Sequence, residues 1–145
     1  MNVKLILKFL NDVAANNNRP WFQAHRSDYL AAKEAFEAGV AQAMGRVADF
    51  DPSIAHLTMS DVTYRFYRDT RFSPDKSPYK RHLGAYLAAH GKKAFHGGYY
   101  IHIEPGQCML ACGTYYLPMN ILTACRNDVD PQRAIFLKDA VRNCG

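Results

Sequence analysis

Between Tyr64 and Lys80 the chain reads Tyr-Arg-Phe-Tyr-Arg-Asp-Thr-Arg-Phe-Ser-Pro-Asp-Lys-Ser-Pro-Tyr-Lys, its densest run of side chains able to bind a charged partner. Guanidinium groups are planar forks that match a phosphate or a carboxylate, and aromatic rings can stack a base or wall a cleft. Pro74 and Pro78, with turn-forming Asp75 between them, fold the chain back on itself, which brings Arg65, Arg68, Arg71, Lys76 and Lys80 within reach of one another. With Tyr79 they form the expected anion-binding set. A competing reading uses the same residues: Asp69 and Asp75 neutralise the arginines, and the segment is a rigid charged corner.

A second constellation is His102 and Glu104 in Tyr99-Tyr100-Ile-His-Ile-Glu-Pro. Two apart on a strand, they point to one face, with Tyr100 beside them. A neutral imidazole and a carboxylate suit either a metal or general acid–base work. The candidates for a third ligand, His25, His82 and His96, are scattered without diagnostic spacing. The sequence therefore assigns no metal, and a hydrogen-bonded pair with Glu104 meeting a loop arginine competes with the ligand reading. No cofactor is assigned. Thr70, Ser73 and Ser77 have no Gly-x-Ser-x-Gly or Ser-x-x-Lys context, so no serine nucleophile and no reaction follow from these residues.

Charge concentrates at the same place. The chain carries a formal +5, and from Arg65 to Lys93 there are eight cations against two anions. An anionic partner is expected there: a small phosphorylated or carboxylated molecule, or a nucleic acid if Lys80, Arg81, Lys92 and Lys93 extend the patch. At 145 residues, 48% apolar, the chain has the size and composition of one folded domain. No apolar run approaches the ~18 residues of a membrane span, and the Lys8-interrupted N-terminus lacks the features of a signal peptide. Cys108, Cys112, Cys125 and Cys144 have no metal-knuckle spacing. On a strand, Cys108 and Cys112 would stand roughly 13 Å apart, beyond one disulfide. Buried free thiols in a reducing cytoplasm are the expectation.

The elements that must hold these residues are readable in outline. Val3, Ile6, Leu7, Leu10 and Val13 recur at helical spacing until Asn16-Asn17-Asn18. A second helix starts at Asn18 as cap with Pro20 in its first turn and buries Trp21, Phe22, His25, Tyr29, Phe36 and Val40, with Gly39 as a weak point. Val62 to Tyr67 alternates as a strand, a hairpin pairs Leu83–Ala88 with Gly98–Glu104, and a fourth strand spans Cys108–Tyr116. Helix returns around Ile121–Arg126 and again after Asp130-Pro131. Helices, antiparallel meander and helices make a single α+β domain over residues 1–145.

Three motifs in this order carry a family resemblance: Asn17-Asn18-Arg19-Pro20-Trp21-Phe22-Gln-Ala-His25, then Phe66-Tyr67-Arg68-Asp69-Thr70-Arg71-Phe72-Ser73-Pro74-Asp75-Lys76-Ser77-Pro78-Tyr79-Lys80, then Gly98-Tyr99-Tyr100-Ile-His102-Ile-Glu104-Pro105. The chain resembles the largely bacterial family catalogued as domain of unknown function 2461, from its first helix to about Arg126. The resemblance implies an α+β fold and carries no activity. It also implies a missing C-terminal part, since members typically continue for several tens of residues more. Pro20 and Cys112 depart from the family pattern.

Overall fold

Ile6, Phe9, Leu10 and Val13 are buried along one face of the first helix, α1 (Val3–Ala15), in the computed structural model, which describes residues 1–92, 96–114 and 117–128. Asn2 caps this helix by accepting the Leu5 N–H at 3.2 Å. Asn18 does the same for α2 (Arg19–Ala24), accepting the Trp21 N–H at 2.9 Å, with Pro20 in the first turn as expected.

The expected long second helix is broken at His25. This residue ends α2 and begins α3 (Arg26–Ala48), with φ −109° and ψ 26°. Its Nδ1–H donates to the Trp21 carbonyl at 2.9 Å, and its backbone N–H donates to the same oxygen at 3.0 Å. A side chain that competes for a backbone carbonyl draws its own residue out of helical geometry, an effect that spacing does not reveal. Gly39 is buried where the Met1 side chain packs against α3, so the expected weak point is a packing position.

A 3-10 turn (Pro52–Ile54) and the short helix α4 (Met59–Val62) follow, the latter closed by a capping box in which Asp61 accepts the Thr58 N–H at 2.8 Å. The strand expected over Val62–Tyr67 does not form as a ladder. Val62 ends α4, and the following residues pair first with one partner and then with another. Thr63 bridges Ala85 and the Tyr64 N–H donates to Gly84, whereas Tyr67 bridges Tyr79 and the Arg68 N–H donates to Pro78. The change of partner interrupts the alternation: Val62 and Phe66 are buried but Tyr64 is exposed.

Three antiparallel strands form the sheet in the order β1 (Leu83–Leu87), β2 (Gly98–Ile103) and β3 (Met109–Gly113). The hairpin lies where it was expected. Glu104-Pro105-Gly106-Gln107 turns the chain from β2 to β3, with the Gln107 N–H donating to Glu104 at 3.1 Å and Gly106 at φ +79°, which an L side chain rarely adopts. Leu83, Ala85, Leu87, Ile101 and Ile103 line the inner face and join α1 and α3 in one core. Gly84, Tyr86, Tyr100 and His102 occupy the outer face.

The fourth strand of the sequence reading is β3, shorter than expected; Tyr115 and Tyr116 lie outside the described residues. Every β3 residue is exposed, and so are the unpaired thiols of Cys108, Cys112 and Cys125, which corrects the expectation of buried cysteines. The reason is positional. For Cys108 and Cys112, β3 is the edge strand that the core does not reach, since the buried cluster forms over β1 and β2. Cys144 and Lys93 lie outside the described residues.

By its internal contacts the chain divides into two units, Met1–Gly113, described above, and Thr114–Gly145. In the second, residues 119–128 are helical, in line with the expected helix around Ile121–Arg126; the one expected after Asp130-Pro131 falls outside the described residues. The architecture is α+β with an antiparallel meander. No described helix is long and apolar enough to cross a membrane.

Candidate functional site

The arginine-rich loop is organised by its two aspartates. Asp69 accepts the Arg71 backbone N–H at 3.2 Å and grips the Arg71 guanidinium at 3.0 Å through Nε and 2.6 Å through a terminal nitrogen. Asp75 accepts the Ser77 N–H at 2.9 Å, bonds the Ser77 hydroxyl, and forms an ion pair with Arg68. Each aspartate thus closes a local turn through the amide two residues on, which is why the sequence has Asp-x-Arg and Asp-x-Ser here. The Ser77 hydroxyl and Arg68 hold the Asp75 carboxyl well below the usual carboxylate range, and Arg71 lowers that of Asp69. Lys76 donates to the Thr70 carbonyl at 3.0 Å. Three of the expected anion-binding residues, Arg68, Arg71 and Lys76, are therefore engaged inside the loop.

Tyr79 lies in the core. It is 3% exposed, and its ring stacks on Phe22 with centroids 4.0 Å apart. Its backbone is clamped from 62 residues away, because Asn17 donates to the Tyr79 carbonyl at 3.0 Å and accepts the Tyr79 N–H at 3.1 Å. Sequence reasoning treated Asn17 as a helix stop and missed this role; its place beside Asn18, which caps α2, was the available signal. Asn17→Ala leaves a part-buried donor and acceptor unpaired and is expected to cost about 2 kcal/mol, read as a lowered denaturant midpoint with an unchanged slope.

The remaining polar groups gather on the outer face of the sheet. Tyr64 sits edge-on to Tyr100 with centroids 6.5 Å apart, and Lys80 and Lys92 approach the Tyr64 ring at 5.6 and 5.7 Å. Lys92 also donates to the Ser60 and Thr63 carbonyls, each at 2.7 Å. Lys80 is half-buried; desolvation, then the nearby Arg65 charge, lowers its pKa. Among the described residues neither Arg65 nor Lys80 has a carboxylate ion-pair partner.

Next to them runs a hydrogen-bonded chain. The Tyr100 hydroxyl meets His102 Nδ1 at 2.9 Å, and His102 Nε2 meets Glu104 Oε2 at 2.9 Å. An ionised carboxylate only accepts, so Nε2–H donates to Glu104, and a neutral His102 then accepts the Tyr100 proton at Nδ1. Burial raises the Tyr100 pKa, with a further contribution from Glu104, and keeps the phenol protonated. Such a chain can hold or relay a proton. The expected Glu104–arginine contact is replaced by this pair: Glu104 accepts the hydrogen bond from His102 Nε2.

His82 completes the group, its ring centroid 4.6 Å from that of His102. Of the other expected third partners, His25 is stacked on Trp21 at 4.1 Å and His96 lies beside His90 at 4.2 Å. Burial, then the neighbouring His102 and Lys80, lowers the His82 pKa and favours the neutral ring.

Fold and site together define an α+β protein with helices on one sheet face and a basic, histidine-bearing patch on the other. The chain belongs to the family described as conserved hypothetical protein DUF2461, whose model matches residues 5–143, further than the three motifs reach. No curated protein and no solved structure matches it.

Proposed function

We propose that this protein binds a small phosphorylated or carboxylated molecule on the outer face of its sheet, with Arg65 and Lys80 as the charged contacts and His82 and His102 as polar neighbours. One observation carries the reading. Desolvation and then the nearby Arg65 charge lower the Lys80 pKa, and neither cation has an ion-pair carboxylate among the described residues, whereas Arg68 and Arg71 are each matched by an aspartate. A half-buried Lys80 against the Tyr64 ring, with the Arg65 charge nearby, is held at a cost that an anion would relieve. Arg68, Arg71 and Lys76 then shape the loop, and Tyr79 anchors it. A cytoplasmic setting belongs to the same proposal, supported by three unpaired thiols.

Thermal unfolding against phosphate, pyrophosphate, sugar phosphates and dicarboxylates tests it. A probe at a hundred times its dissociation constant is expected to stabilise by about 2.7 kcal/mol. Lys80→Ala should abolish the shift and Arg71→Ala should keep it. No shift with any probe, or a shift indifferent to Lys80→Ala, rejects the reading. Tight oligonucleotide binding that falls steeply with salt and needs Lys92 as much as Lys80 would replace it with nucleic-acid binding.

A further inference from the structure

His82, His102 and Glu104 present one ligand atom each, all within 4.8 Å of one another, on the outer face of the sheet. We infer that these three residues form a binding site for a divalent transition-metal cation of the zinc class, with a position left open for a ligand. The inference goes beyond the anion reading and does not depend on it.

Strand register explains why residues without motif spacing meet. Leu83 pairs with Ile103 and Gly84 with His102, so His82, one step before β1, stands opposite Glu104 and diagonal to His102. All three side chains belong to the outer face, since alternate residues of a strand share a face. Gly84, directly opposite His102, has no side chain, and the Tyr100 hydroxyl and Tyr64 ring pack where one would stand.

The donor set has the right chemistry: two imidazoles and a carboxylate are a common protein contribution to a catalytic zinc centre, the fourth position going to water or substrate. Bonds of about 2.0–2.1 Å in a tetrahedral arrangement put neighbouring donors about 3.3 Å apart. His102 Nε2 and Glu104 Oε2, at 2.9 Å, are already close to one edge of that tetrahedron. The His82 donor, within 4.8 Å of both, is the third.

Tyr100 supplies the outer partner such a site needs. To bind a cation at Nε2, His102 takes its Nδ1–H tautomer, and the Tyr100 oxygen 2.9 Å away accepts that proton's hydrogen bond. The Nε2 proton is lost and one is gained at Nδ1, so the imidazole stays neutral.

The test uses the full chain, stripped with a chelator and titrated with cobalt(II), followed by its visible absorption, and with zinc(II) in competition. One equivalent per chain is expected, with a tetrahedral cobalt spectrum free of thiolate charge transfer. Glu104→Gln and His82→Gln should each weaken zinc at least tenfold, and Tyr100→Phe should weaken it by about 10–100-fold without removing a ligand. Arg71→Ala, which removes only the loop's own pairing with Asp69, should leave affinity unchanged. The inference is overturned by absence of a stoichiometric complex, by binding indifferent to all three variants, or by a charge-transfer band that vanishes in Cys108→Ser. Circular dichroism of each variant without metal checks the fold, so the Tyr100→Phe result stands even if a ligand variant unfolds.

Discussion

Phe22→Ala is expected to lower the stability of the protein by about 3–5 kcal/mol, the usual range for truncating a buried phenylalanine. Phe22 is fully buried, and its ring meets those of Tyr29, Phe66, Tyr67 and Tyr79 at centroid distances of 5.1, 6.0, 6.0 and 4.0 Å. It is thus the point at which the helical segment and both arms of the basic loop pack together. Domains are stable by about 5–15 kcal/mol, so this one truncation removes a large part of the total. Phe72→Ala is the matched control. That ring is 94% exposed at the tip of the same loop, and its loss is expected to fall within about 0.5 kcal/mol of no effect. Urea unfolding of both variants gives the comparison, and equal midpoints would contradict the packing described here.

Gly98→Ala is expected to cost about 3 kcal/mol, the upper end of overpacking penalties. A Cβ at Gly98 would press on the Leu87 carbonyl oxygen and come within 2.8 Å of Ala88 Cβ and 2.9 Å of the Tyr86 ring. The carbonyl is backbone, fixed by the strand pairing of Leu87 with Tyr99, so it cannot yield without shifting the hairpin. Tyr86 is held as well, its single hydroxyl proton shared between the Gly113 and His96 carbonyls, each 2.9 Å away. The same hairpin sets the register that brings His82 to Glu104. Gly98→Ala should therefore weaken metal binding as well as stability, measurable by cobalt titration and urea unfolding. A variant with wild-type stability would show that the backbone at Gly98 has room it lacks in this structure.

How far the site was legible follows from which interactions are local. Asp69 and Asp75 act on residues two positions on, and the pairing of each with an arginine was one of the two readings the sequence supported. His102 and Glu104 were recognised as sharing a strand face, because that needs only the two-residue period. His82 was only a name among candidates. Its approach depends on the register of β1 against β2, which is set by the whole inner face packing on the helices. Asn17 was misread for the same reason, its partner being 62 residues away. The exposed cysteines were misjudged because composition says that thiols are usually inside but not which strand will be an edge.

The sequence by itself determined the α+β class, the helix cap at Asn18, the β1–β2 hairpin and the family, because caps, turns and periodicity act within a few residues and leave their mark in residue order. Only the tertiary structure decided that Val62–Tyr67 divides its hydrogen bonds between two partners, that Tyr79 faces the core, that Arg68 and Arg71 each pair with an aspartate while Arg65 and Lys80 form no ion pair among the described residues, and that His82 joins His102 and Glu104. These outcomes turn on which distant surfaces meet and exclude water, a collective result of packing that no local stretch of sequence encodes.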